Sequence, residues 1–291
     1  MSRRNADDGD GVAMKTLAMA RLLLKRPLEV CDRLEAGVDS RLERLWKKVP
    51  NYETSDFPAV RDSLRQRFGL AIEEFYTESA LTRIEDAVKS GLIHLADETS
   101  SSCAMNGDFA VARLCYALCR ALRPLRIVET GVCHGVTTAF VLQALTQNNR
   151  GTLFSIDLPP LGNAGDDFVG ALVPQNLRSR WVLRRGTSRA LLSGLLSELG
   201  RIDFFLHDSL HTYRNMRREF AAITPYLSQT AVVLSDDIER NDAFDEWVSR
   251  VRPSYWAVLA QQEKPSLVGM AVFSAVPSDS HSSPAGMVVI Q

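Results

Sequence analysis

The sequence has almost no surplus charge: 34 Lys and Arg stand against 35 Asp and Glu, a formal charge of −1. Duplex-binding domains usually carry a basic excess, so this balance argues against a nucleic-acid partner. No apolar run reaches the roughly 18 residues that a membrane-spanning helix needs. The five cysteines include no C-x₂-C pair, which argues against a disulfide framework and a thiolate metal site and favours a reducing, cytoplasmic setting. Cys115 and Cys119, one helical turn apart, read as buried core thiols. What is present is ordinary globular composition, 45% apolar and 24% charged in 291 residues, long enough to bury a sizeable core.

Residues 1–11 (MSRRNADDGDG) are polar and read as disordered. Residues 13–24 (AMKTLAMARLLL) are interrupted by Lys15 and Arg21 and followed by Lys25 and Arg26, unlike the h-region of a secretory leader. An amphipathic helix packed on the protein is the favoured reading; weak contact of residues 12–26 with a membrane surface is the other. Signals stay helical from 12 to 105. Leu34, Val38, Leu42 and Leu45 mark one helical face, and Ile72, Phe75 and Tyr76 another. Residues 98–102 (ETSSS) read as a linker, and Asn106 as the cap of a helix carrying Phe109, Leu114, Leu118 and Leu122, ended by Pro124.

Beyond that point short apolar segments alternate with helical stripes. Strands are expected at 125–130, 152–157, 181–185, 202–207 and 231–235, with helices after Gly135, over 191–199, from Tyr213 to the stop at Pro225, and over 241–251. This predicts an α/β fold with a parallel sheet covered on both faces. Segments 255–261 and 267–273 follow each other without a helix and read as an antiparallel pair at the sheet edge. The tail over 276–291 reads as flexible, its part 276–286 being of low complexity.

The first strand runs into Glu129-Thr130-Gly131-Val132-Cys133-His134-Gly135. A dinucleotide fingerprint would need glycine where Cys133 and Val136 stand, and a P-loop would need a lysine after Gly135. What remains is an acid near the end of one strand, Gly131 and Gly135 opening the turn, and a second acid, Asp157, ending the next strand. This pattern resembles the class I S-adenosylmethionine-dependent methyltransferases, whose first motif is [DE]-x-G-x-G-x-G; Cys133 replaces its middle glycine. The resemblance covers 106–274 and is closest over Phe204-Phe205-Leu206-His207-Asp208-Ser209-Leu210-His211-Thr212-Tyr213, which is similar to a bacterial small-molecule branch of the superfamily.

The resemblance implies a Rossmann-like seven-stranded sheet over 106–275 behind a mostly helical N-terminal extension. It also implies a cofactor site of Glu129, Thr130, Gly131, Gly135, Asp157, Thr187 and Asp208, with Asp157 on the ribose diol, where a carboxylate can accept two hydrogen bonds. Many relatives carry Gly-Asp-Ser after the third strand; here it is Gly186-Thr187-Ser188, so Thr187 either meets the adenine or caps the following helix. Catechol-type and macrolide-sugar O-methyltransferases hold Mg²⁺ at positions matching Asp208, Asp236 and Asp237, a ligand set that suits a hard cation. Capping by Asp236 or Asp237, and transfer without metal, stay open.

His211 stands where catechol-type relatives have a catalytic lysine, and imidazole can act as a general base at neutral pH; Asp208 is the alternative base. The loop 158–174 is long enough to cover the site. The resulting expectation is O-methylation of a small-molecule hydroxyl, with the N-terminal helices completing the acceptor pocket or pairing copies of the chain into a homo-oligomer. A nucleotide-binding oxidoreductase, or a non-catalytic protein that keeps the fold, are the competing readings.

Overall fold

The computed structural model describes residues 19, 22–46, 50–98, 107–159, 161 and 165–274. The expected disorder of 1–11, the linker beyond residue 98, the cap at Asn106 and the tail over 276–291 lie outside these residues.

Seven strands form one sheet in the order β3-β2-β1-β4-β5-β7-β6. They are β1 (Arg126–Thr130), β2 (Thr152–Asp157), β3 (Trp181–Arg185), β4 (Ile202–His207), β5 (Leu227–Ser235), β6 (Tyr255–Ala260) and β7 (Leu267–Val272). The first five run parallel, and β7 enters between β5 and β6 antiparallel to both. The expected edge pair therefore forms, with its second strand on the inside. Strand β5 begins four residues earlier than expected. Pro225 sits in a tight helical turn, Thr224–Tyr226, that delivers the chain straight into the strand at Leu227.

Successive side chains leave a strand on opposite faces, and two cores result. Ile127, Phe204 and Leu206 belong to one, Val128, Phe205 and Val233 to the other. The first is covered by α2 (Phe57–Phe68), α3 (Ser79–Glu98), α4 (Phe109–Leu122) and α5 (Val136–Asn148). Val60, Leu64, Ile72, Leu81, Ile84 and Val88 lie in this same cluster, so the N-terminal helices share the core of the sheet. The second is covered by α6 (Ser188–Leu199), α7 (Tyr213–Ile223) and α8 (Ala243–Val251). At its centre Phe220 stacks on Trp247, ring centroids 4.9 Å apart.

The cap of α4 is Asp108. Its Oδ1 accepts from the N–H groups of Ala110 and Val111, and its Oδ2 from those of Gln262 and Glu263. One carboxylate thus satisfies the helix start and pins the β6–β7 turn to it. Helix α1 (Pro27–Trp46) behaves differently from the others. The Leu34–Val38–Leu42–Leu45 face forms as expected, yet all four side chains are exposed. The polar face does the docking: Glu29 meets Arg185, Asp32 meets Thr187, Arg33 meets the Pro159 carbonyl, and Glu43 accepts from the Tyr213 N–H.

Candidate active site

The carboxyl ends of β1, β2, β4 and β5 converge, as the crevice rule for open α/β sheets requires. Between β1 and α5, Gly131 takes φ +86° and Gly135 φ +89°. At Gly131 this is no mere preference: a Cβ there would overlap the backbone carbonyl of Asp208. At Gly135 it would meet the Gly170 Cα at 2.9 Å. Cys133, at the position where the motif has glycine, also adopts the left-handed region, φ +50°, at a cost of about 1–2 kcal/mol for an L-residue.

Asp157 holds this turn. Its Oδ2 accepts from the N–H of Val132 (2.6 Å) and of Cys133 (2.8 Å). Burial raises its pKa against those two hydrogen bonds. Glu129 lies beneath the turn, 1% exposed, with its oxygens bonded by the hydroxyls of Thr138 and Ser155. Burial pushes its pKa up to about 8, so it binds scaffold with both oxygens. Thr130 points its hydroxyl to Glu219, 2.6 Å, while its carbonyl accepts from the Asp208 N–H. Thr187 caps α6 through the Ala190 N–H and donates to Asp32 Oδ2 at 2.7 Å. The segment 165–174 is tied to the turn by two backbone bonds, Gly170 N–H to the Cys133 carbonyl and Leu172 N–H to that of His134.

The three aspartates do not form one cluster. Asp208, His211 and Asp236 offer ligand atoms within 4.8 Å of one another. Asp237 is drawn aside, because its Oδ2 lies 2.9 Å from His211 Nδ1 and 2.6 Å from Arg240, and it accepts from the Ser266 hydroxyl. Among the described residues Asp208 and Asp236 of the expected set thus lie together with His211, while Asp237 faces the other side of that imidazole. Neither Asp236 nor Asp237 caps α8; the Asn241 side chain accepts from the Ala243 N–H instead.

The charges follow from this arrangement. Burial alone would lower the His211 pKa, but hydrogen bonds and charge from Asp208 and Asp237 outweigh it and raise it to about 10. Burial, helped by the charge of Asp236, pushes Asp208 up to about 7. Asp237 moves well below the usual carboxylate range, since His211, Ser266 and Arg240 outweigh its burial. Asp236 carries two partners from the β6–β7 turn, Lys264 Nζ at 2.9 Å and the Gln261 amide.

Several residues here escape a reading by motif. Glu219 of α7 is fully buried and accepts from Thr130, Ser209 and Asn215 while meeting His207 Nδ1 at 2.7 Å. Burial would raise its pKa; the charge and hydrogen bond of His207 lower it to about 2. This network holds Thr130, whose carbonyl accepts from the Asp208 N–H, and Ser209, the residue after Asp208. Lys264 and Gln261 come from a turn with no sequence signature. The acids of α1 did leave a signal: Glu29, Asp32, Glu35, Asp39 and Glu43 recur at helical spacing opposite the leucines. Helix α1 and the loops after β4 and β5 enclose a cleft of about 540 Å³, lined by Ser40, Glu43, Leu210, His211, Glu239 and Arg240 among others.

Residues 128–238 match the family described as methyltransferase domain. A curated relative, an uncharacterized protein of Sinorhizobium fredii, is 31% identical over 152 residues, which are 49% of this chain and 16% of that protein. The chain therefore spans only a small part of that relative's length. Among solved structures, a methyltransferase from Geobacter sulfurreducens superposes with TM-score 0.50 at 17% identity, covering 72% of this chain and 96% of that one. The O-methyltransferase TomG from Streptomyces achromogenes, solved in complex with SAM, gives TM-score 0.49 at 14% identity over 75% and 96% of the two chains. The match to the methyltransferase domain over 128–238 takes in the glycine turn, Asp157 and the ends of β4 and β5 that carry Asp208, His211, Asp236 and Asp237.

Proposed function

We propose that this chain transfers a methyl group from S-adenosylmethionine to a hydroxyl of a small-molecule acceptor bound in the cleft under α1. The carrying observation is that His211, held between Asp208 and Asp237, forms part of the cleft wall, while Asp208 also borders the Gly131–Gly135 turn. A volume near 540 Å³ suits a small ligand. S-adenosylmethionine supplies a sulfonium whose C–S electron pair returns to sulfur when an oxygen nucleophile takes the methyl group. The chain's own task is to hold both partners in line and to take the acceptor proton.

In this reading Asp157, with Oδ2 on the turn, turns Oδ1 to a ribose hydroxyl. Gly131 and Gly135 keep the turn open to the methionine end. Thr187 is joined at the adenine end by Asp32 from α1. Glu129 and Thr130 act from behind, by setting the turn and the Asp208 backbone. The proton goes to Asp208. Two flanking carboxylates keep His211 in its imidazolium form, which leaves it no lone pair for catalysis, whereas a carboxylate whose pKa is about 7 suits a general base near neutral pH.

A second reading adds a divalent cation. His211 Nδ1 donates to Asp237, and Nε2 is buried and lies 3.5 Å from Asp208 Oδ1. Asp208, His211 Nε2 and Asp236 would hold a cation such as Mg²⁺, with Asp237 orienting the imidazole. Such an ion would lower the pKa of a bound hydroxyl. The ammonium of Lys264 on Asp236 competes with it.

Calorimetry with S-adenosylmethionine, followed by a methyl-transfer screen of phenols, hydroxylated sugars and acidic metabolites, tests the proposal. Asp157→Ala should abolish binding and Asp208→Asn should leave binding but stop turnover. Binding of NAD in place of S-adenosylmethionine supports the oxidoreductase, and binding of neither supports a non-catalytic fold. With an acceptor found, turnover that EDTA abolishes and Mg²⁺ restores selects the metal reading.

A further inference from the structure

We infer that the outward face of α1 is a docking surface for an anionic lipid bilayer. Of eleven exposed large hydrophobic side chains among the described residues, seven belong to this helix and the turn before it: Leu23, Leu24, Leu28, Leu34, Val38, Leu42 and Leu45. Leu24 is 87%, Leu28 79% and Leu45 78% exposed. They form one stripe that runs the length of a 20-residue helix, about 30 Å at 1.5 Å per residue. Single exposed leucines are ordinary on a surface; a continuous stripe of this length marks a contact.

The charges are segregated about the same helix. The acids Glu29, Asp32, Glu35, Asp39 and Glu43 all face the protein, against Arg185, Thr187, Arg189, Arg214 and the Tyr213 N–H respectively. The exposed charged side chains that flank the leucines are Lys25, Arg26 and Arg41. Apolar residues beside cations, with the acids engaged by arginines, a threonine hydroxyl and a backbone N–H of the protein, are what an interfacial helix presents to acidic headgroups.

A second copy of the chain fits this face poorly. Two such stripes laid together bring Lys25, Arg26 and Arg41 of both copies near one another, and like charges at a contact oppose it. Glu35 of α1, its side chain 38% exposed, is already paired with Arg189 and Arg214. No helix of the described residues is long and apolar enough to cross a membrane, so the contact would be one of lying on the surface. The polar side of α1 would stay on the cofactor crevice meanwhile, which leaves the catalytic groups in place.

The test is co-sedimentation of the full chain with vesicles of phosphatidylcholine alone and of equimolar phosphatidylcholine and phosphatidylglycerol, alongside sedimentation velocity without lipid. Partitioning into the anionic vesicles should exceed that into neutral ones by roughly a hundredfold for three cations near the surface, and salt should reverse it. The pair L34E and L42E should remove binding, and the pair K25E and R41E should remove the preference for anionic lipid, both with an unchanged thermal midpoint. Absence of binding to either vesicle overturns the inference. So does a concentration-dependent dimer that L34E dissolves without any lipid binding, which would assign the face to a second copy.

Discussion

Gly131 has no room for a side chain, and Cys133 has room but a strained backbone. The two positions of one motif therefore respond oppositely. Gly131→Ala should drive Asp208 out of place and abolish cofactor binding, whereas Cys133→Gly should keep it, because glycine takes the left-handed region without steric cost. Calorimetry of both variants checks this, and retained binding in Gly131→Ala would refute the tight contact. His211 gives a pH signature. Its pKa rises on folding from 6.5 to about 10, so the stability it contributes is full below 6.5 and is lost as pH climbs toward 10. His211→Gln should flatten the stability profile in that alkaline window, as read by urea unfolding at a series of pH values. Glu219, lowered to about 2 from 4.5, contributes above 4.5 and loses that contribution as the pH falls through this range; Glu219→Leu should remove the acid-side slope.

At the scale of elements, most helices are held by the leucines and phenylalanines they bury, and α1 is held by polar pairs. Glu29, with its side chain 9% exposed, bridges Arg33 and Arg185 at 2.8 and 2.5 Å. Removing the carboxylate leaves Arg33 and Arg185, 13% and 27% exposed, without it, at a cost below the roughly 3–5 kcal/mol of a fully buried pair because water reaches both. Glu29→Ala should thus release α1 locally while the sheet stays folded. Hydrogen exchange read by mass spectrometry should speed up over 27–46 and not over β1, β4 and β5; uniform protection would show that α1 is held by something other than these pairs. This helix also shows why a periodic stripe is an incomplete guide. The spacing of Leu34, Val38, Leu42 and Leu45 correctly marks a helical face. Periodicity is blind to which face meets the core, since here the ionic partners on β3, α6 and α7 outcompete the leucines for the contact.

Across the whole molecule, the largest of the fully buried side chains is Trp247 of α8, which is 1% exposed and packs on Phe220, Phe244 and Phe273. Trp247→Ala should destabilise the chain by about 3–5 kcal/mol in denaturant unfolding, with loss of the Thr224 hydroxyl bond included. The alternation of short apolar strands with amphipathic helices was enough to fix the class of fold, the parallel run of β1 to β5 and the edge pair of β6 and β7. These depend on local periods of 2 and 3.6, which a chain carries in its order of residues. The turn glycines and the acids Asp157, Asp208, Asp236 and Asp237 were legible too, because strand ends in such a sheet share one edge. Only the tertiary structure decided that Asp237 serves His211 while Lys264 and Gln261 take Asp236, that Glu219 ties Thr130 to Ser209, and that α1 turns its acids to the crevice. Each of those is a contact between groups distant along the chain. Their meeting depends on packing and on the competition among charges, which no local spacing records.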